Sequence, residues 1–260
     1  MTEEARRPAD EEGDDDVPET HPRHTSLATR ERIVEGVELG ITSEAGLVAQ
    51  GRGEAFDYLL GERTLESAAR AERAAAALVL AADHPVISVN GNVAALVPEA
   101  VGALAEATGA AVEVNLFHRT EERMERIAAH LREHGVPDVK GLAGDATIPG
   151  LDHDRARVDA DGIAAADVVL VPLEDGDRAA ALAAMGKSEI VVDLNPLSRS
   201  AAVATVPVID NVVRAIPAMT AHARSLAGRS DEQLAGIVER FDADAARADA
   251  ERAIRSGDLD

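Results

Sequence analysis

The sequence predicts an α/β protein: a mostly parallel sheet with helices on both faces, preceded by a helical N-terminal region. Two observations carry this. From Pro85 onward, short β-branched runs alternate with helical patterns, as parallel strands joined by crossover helices do. Before Pro85 the chain is rich in Ala and Leu at helical spacing. The length of 260 residues and a hydrophobic fraction of 46% allow one sizeable core with appendages.

Taken in order, residues 1–20 are acidic, lack apolar periodicity and are expected to be a disordered tail. A helix is expected from near Ser26. Thr25 or Ser26 would cap it, Leu27, Ile33, Val34 and Val37 form its apolar stripe, and Gly40 stops it. Ser43 to Glu62 reads as one helix interrupted near Gly51–Gly53, and Glu62 to Ala82 as a further helix. These make a helical region over 21–84.

An α/β domain is then expected over 85–228. Its strands begin at Pro85, Ala111, Ala166, Glu189 and Thr205. Its helices are Pro98–Thr108, Thr120–His134, Arg178–Met185 and Asn211–Leu226. Val136 to Leu151 is loop-rich, with room for one short strand. Residues 229–260 read as Ala-rich acidic helices ending in a polar tail.

The net charge of -22 opposes binding to nucleic acid or anionic membranes. Lys140 and Lys187 are the sole lysines, aromatics are 2%, and the surface is acidic, which together suggest adaptation to high salt. At molar salt the Debye length is about 3 Å, so self-repulsion is screened. Without Cys there is no disulfide and no thiolate chemistry. No apolar run reaches the ~18 residues of a membrane span, and no signal peptide is evident, so a cytoplasmic protein is expected.

The stretch Ile190–Arg199, IVVDLNPLSR, is a buried strand that turns polar at its end. Ligands of open α/β sheets bind at such strand ends. Asp193 and Asn195 could hold ribose, base or a hydrated metal, and Arg199 offers a fork suited to phosphate. Asn90-Gly91-Asn92 joins a strand to a helix and suits an anion. Arg52 stands between Gly51 and Gly53, which permit close approach. Glu174, Asp175 and Asp177 could hold Mg²⁺ or grip an amine. Asp210 or Asn211 caps a helix and also suits a phosphate or an adenine edge. The glycine-rich dinucleotide fingerprint fails, because Gly51-Arg52-Gly53 meets Phe56 at its last position. The P-loop fails too, since Ala181 stands where its first Gly belongs. No metal-binding cluster is evident among the eight histidines.

Taken together, HPR…SL..RE, GLVAQGRGEAFDYLLGE, PVISVNGNVAAL, EVNLFHRTEER, ADVVLVPLEDGDR, MGK and DLNPLSRSA…IDN resemble the archaeal phosphopantothenate synthetases, over residues 21–226. The resemblance implies a Rossmann-like homodimer and a 4-phosphopantoate–β-alanine ligase of coenzyme A synthesis. ATP would be cosubstrate with Mg²⁺, and AMP and pyrophosphate would be released through an acyl-adenylate. It implies ATP contacts at Arg30, Arg52, Asp193, Leu194, Asn195, Arg199, Ser200, Asn211 and Val212, with Arg52 and Arg199 catalytic. Gln50 departs from the family pattern, which has His there. Asn90, Gly91 and Asn92, with Arg23 as a weaker candidate, are expected to meet phosphopantoate. Asp175 and Asp177 could meet Mg²⁺ or the β-alanine ammonium, and Lys187 a phosphate. The alternative reading is a non-catalytic nucleotide-binding dimer that senses ATP or coenzyme A. Another adenylate-forming ligase with a different acid is a third.

Overall fold

A computed structural model describes residues 18, 20, 23–173 and 176–257. The expected acidic tail therefore lies almost wholly outside the described residues.

Three helices lead in: α1 (His24–Glu38), α2 (Glu44–Leu59) and α3 (Glu66–Leu80). Helix α1 starts before Ser26 and has no side-chain cap; the Ser26 hydroxyl bonds Glu54 instead. The expected break at Gly51–Gly53 does not occur. Neither glycine has a positive φ, so α2 runs through them, and Gly53 passes over Leu194 instead. Helix α3 begins later than expected because Glu62 takes a left-handed conformation (φ 50°) that turns the chain.

The α/β portion then runs β1 (Pro85–Val89), α4 (Gly91–Leu96), α5 (Pro98–Thr108), β2 (Ala111–Val114), α6 (Glu121–Glu133) and β3 (Val139–Lys140). A small antiparallel pair follows, β4 (Ala146–Thr147) with β5 (Arg157–Val158). It gives 136–158 more strand than the sequence suggested. Next come β6 (Val168–Pro172), α7 (Gly176–Ala184), β7 (Ser188–Val192), α8 (Arg199–Val203), β8 (Val206–Val208) and α9 (Val212–Leu226). Two helices, α10 (Asp231–Glu239) and α11 (Ala243–Ser256), end the described chain.

The six main strands are all parallel, in the order β3-β2-β1-β6-β7-β8. The chain winds outward from β1 to β3, then returns to the other side of β1. That reversal makes a switch point between β1 and β6, where the crossovers leave on opposite faces. Alternation within the strands explains the two layers. Ile87, Val89, Leu170, Ile190 and Val192 face one layer, where α3, α5, α6 and α9 pack. Val86, Val169 and Val171 face the other, with Leu182 of α7 and Ile148 and Val158 of the hairpin. This second layer also buries charge. Arg178 is fully buried and donates to the Ser88 hydroxyl, and Glu113 accepts backbone N–H groups of Asp159 and Ile163. Burial pushes the Glu113 carboxyl up to about 7.

Candidate active site

A cleft of about 310 Å³ opens at the carboxyl ends of β1, β2, β6 and β7, over the switch point. Its floor is Asn90, Gly91 and Asn92. The Asn90 side chain caps α4 and its amide donates to the Pro172 carbonyl, tying β1 to β6 across the switch. Asn92 is buried; it donates to the Gly46 carbonyl and bonds the Thr42 hydroxyl. A Cβ on Gly46 would lie 2.4 Å from Asn92 Oδ1, so glycine is what lets α2 approach this closely. One Arg from the helical region, Arg52, lines the same cleft, as does Asp193 from the end of β7.

The DLNPLSR stretch turns sharply after β7. Asp193 Oδ1 accepts the Asn195 N–H at 2.9 Å, and Oδ2 accepts the Ser200 hydroxyl at 3.3 Å. Ser198 caps α8, a short helix that follows the polar turn. Leu194 is buried in a cluster with Leu60, Ala201, Ile209 and Ala250. Arg199 is exposed and packs over Gly176.

The remaining sequence candidates lie elsewhere. Arg30 is on α1, and Glu54 of α2 accepts from its Nε at 2.7 Å and its terminal nitrogen at 2.6 Å. The same carboxylate accepts from Arg23 and Ser26. Hydrogen bonding from Arg30 outweighs burial and holds Glu54 below the ordinary carboxylate range. Asn211 lines a second, narrower cleft with Arg23, Glu54, Asp57 and Arg214. Helix α2 therefore divides the candidates, Arg52 and Asp193 on one side, Arg30 and Asn211 on the other. Val212 is buried, so its backbone is what it can offer a ligand.

Lys187 sits at the opposite end of the sheet, just before β7. Its ammonium donates to the Ala164 and Ala166 carbonyls at 2.9 and 2.5 Å, which is a structural use and corrects the expected phosphate role. Asp177 pairs with His153 at 3.1 Å. Glu174 and Asp175 lie outside the described residues.

Several groups outside the sequence candidates also line or support the clefts. Arg123 of α6 and Arg155 of the hairpin region line the main cleft, as does His118. Arg123 was visible in HRTEER, but nothing local marks Arg155. Behind Asn211 lies a buried ionic network. Arg214 bonds Asp57 at 2.6 and 3.2 Å and Asp210 at 2.9 Å, and the Asn211 amide donates to Asp57 at 2.7 Å. Burial alone would lower the Arg214 value, but Asp57 and Asp210 outweigh it and raise it. Burial, then the Asp210 charge, pushes the neighbouring Glu72 carboxyl up. His130 of α6 and His134 at its C-cap stand four apart, and His134 Nε2 lies 3.5 Å from Glu99. Among the described residues, no group of three or more His, Asp or Glu is arranged to hold a metal ion.

An open parallel sheet in this strand order, with a polar cleft over its switch point, defines a doubly wound α/β protein of the Rossmann type. Its sequence narrows this further. Residues 67–257 match the family model described as phosphopantothenate/pantothenate synthetase, and the chain belongs to that family. It is 56% identical over 227 residues to a Thermococcus kodakarensis protein called 4-phosphopantoate–beta-alanine ligase, covering 87% of each chain. A Methanospirillum hungatei protein of the same name is 60% identical over 200 residues, 77% of this chain and 82% of that one. One from Methanosarcina mazei is 52% identical, covering 87% and 89%.

Proposed function

We propose that the chain is an ATP-dependent ligase that joins 4-phosphopantoate to β-alanine to make 4′-phosphopantothenate, a step of coenzyme A synthesis. The observation that carries this is identity above 50%, over most of both chains, to proteins bearing that ligase name. The cleft is compatible with it: a switch-point site with arginines suited to phosphates and no requirement for a covalent enzyme intermediate.

In this reading the phosphopantoate carboxylate attacks the ATP α-phosphorus and pyrophosphate leaves. The β-alanine amine then attacks the acyl carbon, loses a proton, and AMP leaves. Arg52 and Arg199 stabilise the charge that develops on the phosphates. Asp193, Leu194, Asn195 and Ser200 hold the nucleotide beside them. Magnesium enters with the nucleotide, as its phosphate complex. Arg30, Asn211 and Val212 contribute from the far side of α2.

The enzyme works as a homodimer. Val34, Leu47, Val48, Tyr58 and Leu59 leave an exposed apolar face on α1 and α2, beside a groove of about 1000 Å³, and a second copy would cover it. Light scattering in molar KCl, with Val48→Glu as the disrupting variant, tests this. It works in a salt-rich cytoplasm; among the described residues no helix is long and apolar enough to cross a membrane.

The deciding experiment incubates the protein in molar KCl with Mg²⁺, ATP, 4-phosphopantoate and β-alanine, and separates AMP from ADP. AMP formed only with both cosubstrates is the expected result. ADP would mean an acyl-phosphate route. No turnover by folded protein would favour a nucleotide sensor.

A further inference from the structure

We infer that the cavity between α3, α10 and α11 is a binding site for a small phosphorylated organic anion. It shares no lining residue with the two clefts described above, and it does not rest on the ligase reading.

The first argument is charge. The cavity holds about 270 Å³. Arg70 and Arg73 of α3 and Arg240 at the end of α10 line it, against one carboxylate, Asp242. That balance reverses the chain's own, which is 48 acidic residues to 26 lysines and arginines. The Asp242 carboxylate is already engaged, because it caps α11 by accepting the Ala245 N–H at 2.9 Å. Arg70 is engaged too: it donates to Glu66 at 2.9 Å and to Asp249 at 3.0 Å, which ties α3 to α11. The guanidinium groups of Arg73 and Arg240 form no hydrogen bond or ion pair with another described residue. The Arg73 charge reaches its surroundings; second to burial, it pushes the nearby His222 imidazole down. Two unanswered cations on one cavity, in so acidic a protein, select an anion.

The second argument is shape. A Cβ on Gly236 would stand 3.3 Å from a terminal nitrogen of Arg240, so the arginine lies back along α10 and glycine leaves room for it. Beside the cations, Ile237 and Phe241 form an apolar wall, and Phe241 is packed against the main core. Two guanidinium forks suit the oxygens of a phosphate dianion. The apolar wall and the remaining volume suit an organic body carrying that phosphate. The site stands at the first turn of α11, and further along that helix Ala250 packs in the cluster that holds Leu194.

The test titrates the protein in molar KCl with phenyl phosphate by isothermal titration calorimetry, for wild type, Arg73→Gln, Arg240→Gln and Arg52→Ala. Arg73 and Arg240 are exposed, so both variants should melt with wild type. Each should bind phenyl phosphate roughly tenfold more weakly, the loss of a charge-assisted hydrogen bond. Arg52→Ala, altered in the switch-point cleft, should bind it as wild type does. Inorganic phosphate should bind wild type more weakly than phenyl phosphate. Absence of binding to wild type, unchanged binding by Arg73→Gln and Arg240→Gln, or a loss confined to Arg52→Ala would overturn the site. Equal affinity for inorganic phosphate would overturn the organic class of its ligand. None of these readouts needs turnover, so they stand apart from the fate of the ligase reading.

Discussion

Replacing Arg214 by Met removes the cation that ties together the network beneath the second cleft. Arg214 faces Asp57, from α2, and Asp210, at the end of β8; the two carboxylates are 6% and 1% exposed. Asp57 would keep the Asn211 amide, and Asp210 would keep the Thr64 hydroxyl at 2.6 Å, but two buried carboxylates would lose their counter-charge. Breaking a buried ion pair from one side costs about 3–5 kcal/mol. For a domain of this size that lowers Tm by on the order of 10 °C. Thermal unfolding by circular dichroism in molar KCl is the assay. A loss below about 1 kcal/mol would refute the reasoning, because it would mean that water and local dipoles already carry those charges.

Arg52→Ala should lower kcat/KM about a hundredfold, the cost of losing a charge-stabilising contact in phosphoryl chemistry. Its Tm should not move, since Arg52 is exposed. Glu72→Gln should flatten the pH dependence of stability. Burial and Asp210 raise the Glu72 value in the folded state, so wild type is most stable, in this respect, below pH 4.5 and loses that stability as pH rises to about 8. Parallel denaturation curves for the two proteins across that range would rule this out. Wild-type Tm should rise from low salt to molar KCl, because a net charge of -22 repels itself until screened. A salt-independent Tm would leave the composition without the physical role given to it.

Much of the sheet could be read directly from the chain. Strands such as Val168–Pro172 are short β-branched runs buried on both faces, and their alternation with helices admits few arrangements. Asp193 and Arg52, offered as candidates on residue chemistry, line one cleft, and the family resemblance held because several weak motifs fall in order. Helix interruption is expected at Gly51–Gly53 but does not occur, since a glycine breaks a helix only where tertiary packing asks for a positive φ, and neither glycine has one; the glycine of α2 that close packing requires is Gly46, against Asn92. Lys187 looked like a phosphate ligand from its neighbours in sequence, yet it lies at the amino end of β7, and in a parallel sheet that end is the far side from the site. Which cations meet is a question of strand order, and local spacing does not contain it. Arg123 and Arg155 share a cleft with Arg52 because β2 and the hairpin region lie beside β1 while α2 crosses above. Arg30 is excluded from that cleft by the body of the same helix. The sequence by itself determined the strands, the helices, the charge and the family, all set by local pattern and composition; the tertiary structure decided which charged side chains share a cavity, because only the long-range packing of α2 against the switch point brings them together or holds them apart.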